Sequence, residues 1–171
     1  MTVFGYGMFG LGAEFTDPAA IEFAHRVRDE RGVDIVGSPY RYYQTDEIVQ
    51  RINCAPADAT IMLWGTSLGA NNVTVVASQT QKTIAGAWGF QASQWGAKTD
   101  IPPNVKFLHF VFNPFVMLGS HKPQLAAGNG VTTPLWTERW VDHPGDQDKW
   151  TQDMFLDDMA RILGARILGS G

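Results

Sequence analysis

The chain predicts an α/β fold, with a mainly parallel central sheet of about five to six strands and helices on both faces. Three observations carry this expectation. Short apolar runs of strand type alternate with segments of helical periodicity, which implies parallel strands joined by crossover helices. The runs around Ile61–Trp64 and Val105–Phe112 are almost unbroken in their apolar character, as strands covered on both faces are. The 171 residues, 44% hydrophobic and 18% charged, are enough for one domain with a sizeable core, so a single domain over 1–171 is expected.

The elements follow in order. Thr2–Tyr6 reads as a short strand running into a glycine-rich loop, Gly5-Tyr6-Gly7-Met8-Phe9-Gly10-Leu11-Gly12. Asp17 is placed to cap a helix that Pro18 opens. Ile21, Ala24 and Val27 recur at helical spacing, and Gly32 is the natural stop. Val33–Val36 is the next strand. Thr45 is expected to cap a second helix whose Ile48 and Ile52 share a face, and the loop at Pro56 closes that segment. The strand at Ile61 leads into a helix that runs to about Gln79. Thr83–Phe90 is small and apolar enough for a buried strand, and Asp100-Ile101-Pro102-Pro103 is a turn. Val105–Phe112 is the strongest strand pattern, and Leu135–Val141 is the last. Phe155, Leu156, Met159, Ile162 and Leu163 form the apolar face of a closing helix, which Gly164 is expected to stop.

Composition narrows the function classes. The formal net charge is −4 and no basic run occurs, which argues against a nucleic-acid surface. Cys54 is the single cysteine, so no internal disulfide forms and a cysteine-rich zinc site is excluded. No cofactor is implied. The N-terminus lacks the basic and apolar regions of a signal peptide, and no segment has the length of a membrane span, so a cytoplasmic protein is expected. Six Trp and ten Phe are read mainly as core.

The chemistry concentrates at Gly65-Thr66-Ser67-Leu68-Gly69, between an apolar strand and a helix. A Gly-x-Ser-x-Gly turn in that setting projects the serine hydroxyl from the end of the sheet and aims the following amide at the same point. The two glycines are needed because side chains there collide with the neighbouring strand or helix. Ligands on parallel sheets bind beyond the carboxyl ends of the strands, and Ser67 sits at one such end. A second pattern, Gly5-Tyr6-Gly7-Met8-Phe9-Gly10, fits Gly-x-Gly-x-x-Gly after a strand and admits a nucleotide-binding reading. It lacks a Gly-Lys-Ser ending and an acidic residue at the end of the second strand.

With these motifs the chain resembles the α/β-hydrolase superfamily, in particular its small, lidless cutinase- and esterase-like members. The resemblance rests on Gly65–Gly69, on the glycine-rich segment after the first strand, and on His143 between the last strand and the last helix. It implies a minimal version of that fold, beginning where the family's third strand would lie. It also implies a serine hydrolase acting on small carboxylic esters, with no metal. Ser67 would be the nucleophile and His143 the base. The Leu68 amide would form the oxyanion hole, with Met8 or Phe9 as second donor. The family places its acid after one of the two strands that follow the nucleophile, where this chain has Gln91 and Asn113. Asn113 is the best positional match and can orient an imidazole. Asp142 or Asp146, on either side of His143, are the possible acids in its place. Of the other histidines, His25 is expected on a solvated helix face, His109 within a strand and His121 in an exposed loop. The rival reading is a non-catalytic member of the same fold that binds a ligand or a protein partner.

Overall fold

The computed structural model describes residues 2–9, 22, 25–35, 40–113, 121–140 and 148–168. Seven strands occur in it: β1 (Val3–Phe9), β2 (Asp34–Ile35), β3 (Tyr40–Arg41), β4 (Thr60–Thr66), β5 (Ile84–Phe90), β6 (Phe107–Phe112) and β7 (Thr133–Glu138). The helices are α1 over 25–31, α2 (Thr45–Cys54), α3 (Leu68–Gln79) and α4 (Lys149–Leu168). The strand order is β2-β1-β4-β5-β6-β7, and β3 also pairs with β1. The two-residue strands β2 and β3 lie end to end along one side of β1, opposite Phe4–Gly5 and Met8–Phe9, so seven strands fill six positions. Every strand pairing is parallel.

Period-two alternation divides the sheet between two cores. Tyr6, Met8, Ile61, Leu63, Ala87, Leu108 and Phe110 point to the face covered by α2 and α3, where they meet Ile48, Ile52, Val73 and Val76. Met62, Trp64, Trp88, Phe90 and Val111 point to the other face, where they meet Val27 of α1 and Phe155, Leu156 and Met159 of α4. Helices therefore cover both faces. Arg26 ties α1 to α4 through Gln152 at 2.8 Å and Asp153 at 3.0 Å, and Arg31 donates to the Leu156 carbonyl at 2.8 Å.

Three local expectations are corrected. Gly5 and Gly7 are strand residues, not loop residues. Their missing side chains make room for the Trp64 indole: a Cβ at Gly5 would stand 2.7 Å from its ring, and one at Gly7 would stand 2.6 Å from it. The first two glycines of the pattern that suggested a dinucleotide loop are thus a packing complement to a tryptophan on the neighbouring strand, while Gly10 lies outside the described residues. Thr45 is the first residue of α2 rather than its cap, and Gln44 holds the cap position without a side-chain capping bond, its Oε1 instead accepting from Arg41 N at 2.7 Å. Gly164 does not stop α4, which runs on to Leu168. By contrast Gly32 ends α1 as expected, at φ +64° with its amide donating to Arg28 O at 2.9 Å.

Candidate active site

The strand order reverses between β1 and β4. The chain leaves β1 for one side of the sheet and then returns to its other side, and a crevice at such a switch point is where parallel sheets bind ligands. Ser67 stands there. All seven residues of β4 are buried, and α3 begins at Leu68 with no intervening loop. The reversal is concentrated in Ser67 itself, at φ 57° and ψ −123°. A non-glycine residue held in this sparsely populated region costs on the order of 1–3 kcal/mol and persists only where its surroundings enforce it. Here they do. The Ser67 amide donates to Phe90 O at 2.9 Å, and its carbonyl accepts from Ala70 N at 3.0 Å. At Gly65 strand and helix touch, since a Cβ there would lie 2.4 Å from Gly69 O and 2.8 Å from Ala70 N. The first turn of a helix leaves its leading N–H groups without intrahelical acceptors, so the Leu68 and Gly69 amides are available beside Ser67.

Gln91, directly after β5, is the other described non-glycine residue at positive φ, 52°. Thr66 and Phe90 are register partners, so the two strained residues follow each other's neighbouring strand ends. Gln91 N donates to Val111 O at 2.7 Å, which prolongs the ladder one step before the chain turns away. Sequence reasoning missed this strain, because no residue pattern announces it.

Two asparagines in the first turn of α3 brace the surroundings, and sequence reasoning missed both. Asn71 is buried, accepts from Ser93 N at 2.8 Å, and donates to Ser93 O at 2.9 Å and Ala97 O at 3.1 Å. It fixes the segment that leaves β5. Asn72 donates to Tyr42 O and to Thr45 Oγ1, which fixes the turn between β3 and α2. The double Asn at the start of a helix was the available signal, since Asn is a poor helix former without such partners.

The other expected residues are distributed as follows. Asn113 is 3% exposed and follows β6 at the same carboxyl end as Ser67, two strands away. Met8 is fully buried and paired on both sides, with Tyr40 and with Gly65. Phe9 ends β1. His143, Asp142 and Asp146 lie outside the described residues. His25 is exposed on α1. His121 is half-buried rather than exposed, and its amide donates to Ala92 O at 3.0 Å. Burial, with the nearby Lys98 charge second, holds its imidazole below the usual histidine pKa.

His109 makes a separate polar cluster. It is 6% exposed on the α4 face of β6; Nδ1 lies 2.6 Å from Asp158 Oδ2 and Nε2 lies 2.8 Å from Thr137 Oγ1. The same Asp158 oxygen accepts from Trp88 Nε1 at 3.3 Å. With Asp158 ionised, Nδ1 donates to it and Nε2 accepts from Thr137, so both ring nitrogens are used. A groove of about 330 Å³ opens beside this cluster, with His109 and Leu135 as its floor and Trp150 and Met154 of α4 on its wall. His109 is two strands from β4, and its row in the sheet is two residues below that of Thr66. At ~3.3 Å per residue and ~4.8 Å per strand this puts it roughly 14 Å from Ser67, beyond the reach of a proton acceptor.

Among the described residues no group of histidine, cysteine, aspartate and glutamate side chains is arranged to hold a metal ion, and no helix is long and apolar enough to cross a membrane. Comparison with family models, with curated proteins and with solved structures finds no significant match to this chain.

Proposed function

We propose that the chain is a serine hydrolase that cleaves small carboxylic esters through an acyl-enzyme on Ser67. The observation that carries this reading is the backbone of Ser67: a buried strand enters it, a helix leaves it, and its φ of 57° is enforced by glycine-thin packing at Gly65. In this reading the Ser67 hydroxyl attacks the ester carbonyl and gives its proton to His143. The Leu68 amide and an amide from the end of β1 stabilise the oxyanion. Phe9 is the better placed of the two β1 candidates, because Met8 is paired on both sides. The collapsing intermediate expels the alcohol, which takes the proton from His143. Water then repeats the sequence on the acyl-enzyme and releases the acid.

Asn113 is the group proposed to orient His143, with Asp142 or Asp146 in its place if it does not. Its backbone stands two strands from Ser67, about 10 Å across the sheet, a gap that an imidazole between the two would bridge. One observation favours the non-catalytic alternative. The ends of β5 and β6 carry the neutral Gln91 and Asn113 where the resemblance calls for a carboxylate.

Labelling with a fluorophosphonate probe separates the two. The wild-type chain should be labelled and the Ser67→Ala variant should not. A folded wild-type chain that resists the probe, or a variant still labelled, would overturn the assignment.

A further inference from the structure

Among the described residues three side-chain oxygens are buried without a hydrogen-bond partner: Tyr40 Oη, Asn104 Oδ1 and Thr66 Oγ1. The first two belong to side chains with evident structural work. Asn104 uses its amide nitrogen to brace the carbonyls of Ala77, Thr80 and Lys82, at 2.8, 3.3 and 3.0 Å. Tyr40 fills the core over α2 and stacks on Tyr6 with ring centroids 6.5 Å apart. Thr66 has no such role. It follows Met62 and Trp64 on the α4 face of β4, lies opposite Phe90, and is 2% exposed. Valine has the same shape, suits a buried strand better, and would remove an unpaired hydroxyl that is costly to bury. The hydroxyl is nonetheless present, one residue before Ser67 and at the level where the sheet ends.

We propose that Thr66 is a further hydrogen-bonding residue of the reaction at Ser67, its hydroxyl partnered only when the site is occupied. The partner is an oxygen brought by the reaction, either an oxygen of the ester or the water that cleaves the acyl-enzyme. Both present the same chemistry to Thr66: an oxygen whose charge or proton changes as the bond to Ser67 forms or breaks. An interaction made only then lowers the barrier without tightening ground-state binding. The proposal rests on the serine-hydrolase reading and adds a residue that the Gly-x-Ser-x-Gly pattern leaves unspecified.

The test compares Thr66→Val with Thr66→Ser, which keeps the hydroxyl. A short-chain nitrophenyl ester reports turnover, a fluorophosphonate reports acylation of Ser67, and thermal unfolding reports stability. Thr66→Val should turn over 10- to 100-fold more slowly at nearly unchanged KM, with a Tm equal to or above wild type, and Thr66→Ser should stay near wild type. If labelling slows in step with turnover, the partner is the ester oxygen. If labelling keeps its wild-type rate and acyl-enzyme accumulates, it is the water. Should Thr66→Val fail to fold, Thr66→Ala carries the same expectation. Wild-type rates of both turnover and labelling in a hydroxyl-free variant would overturn the role of Thr66, whatever its Tm, while leaving the hydrolase reading intact. Absence of labelling in the wild-type chain would overturn that reading, and this one with it.

Discussion

Ser67 and His109 belong to the same sheet and treat their polar groups in opposite ways. At His109 everything is satisfied. Both ring nitrogens have partners, the carboxylate that orients the ring also accepts from Trp88, and the cluster links β5, β6, β7 and α4. At the end of β4 the backbone is strained and the neighbouring Thr66 hydroxyl is unpaired. A His–Asp pair beside a hydroxyl has the residue types of a catalytic triad, yet here it is read as part of the core. Residue type alone does not separate the two regions. What separates them is whether the structure spends or reserves their hydrogen-bonding and conformational freedom, since unrelieved strain and unpaired groups persist where function requires them.

The largest test of this contrast is Ser67→Ala. Alanine fits the turn, so the melting temperature should change by only a few degrees, while ester turnover falls on the order of 10⁴-fold or more. Turnover near the wild-type rate would remove Ser67 from the chemistry. The matching change in the other region is Asp158→Ala. It leaves two buried donors, on His109 and Trp88, without an acceptor, and should cost about 3–5 kcal/mol of stability. Denaturant unfolding measures that loss. At a temperature where the variant is still folded, the rate of fluorophosphonate labelling at Ser67 should match wild type. A stable variant that no longer reacts would mean that the His109 cluster serves the chemistry after all.

Gly65→Ala probes how the strain at Ser67 is enforced. The new methyl meets the backbone of Gly69 and Ala70 rather than a flexible side chain, so strand and helix must separate. The expected cost is about 1–3 kcal/mol, with a loss of turnover larger than that stability change predicts, because the elbow itself is displaced. Equal stability and turnover in this variant would show that the close approach is incidental.

The sheet was legible in the sequence because its signals are local. Nearly unbroken apolar runs such as Ile61–Trp64 and Phe107–Phe112 mark strands covered on both sides, and the helix after Ser67 ends at Gln79 as its pattern indicates. The glycines at 5 and 7 misled because their cause lies elsewhere in the chain. A loop and a strand thinned to admit Trp64 look alike until β1 and β4 are placed side by side. Gln91, Asn71, Thr66 and the pairing of His109 with Asp158 were hidden for the same reason, since each acquires meaning only through partners 20 to 50 positions away or through a missing partner. Ser67 was visible because the elbow's constraint is written within five consecutive residues. The proposed base and its alternative acids fall outside the described residues, so that part of the site still rests on the resemblance.

The smallest expected effect, and the sharpest test of the comparison, comes from Asn113→Asp. Asn113 is even more buried than His109, at 3% against 6% exposed, and it stands at the carboxyl end of the sheet with Ser67 rather than in its interior. If it orients His143, the nitrogen of that ring facing Ser67 must be unprotonated, so the other must donate to the Asn113 carbonyl oxygen. Aspartate keeps this geometry and adds a charge that stabilises the imidazolium formed as Ser67 loses its proton. The turnover rate at neutral pH should then rise several-fold with little change in melting temperature, and the gain should vanish below the pKa of the new carboxyl. If Asn113 instead anchors the end of β6 through its amide nitrogen, the substitution replaces a donor by an acceptor in a buried place. Stability should then fall by about 1–3 kcal/mol with no gain in rate. Measuring kcat against pH together with the melting temperature of this one variant distinguishes the two. A rate unchanged or reduced assigns Asn113 to the same structural class as His109 and leaves Asp142 or Asp146 to orient the base.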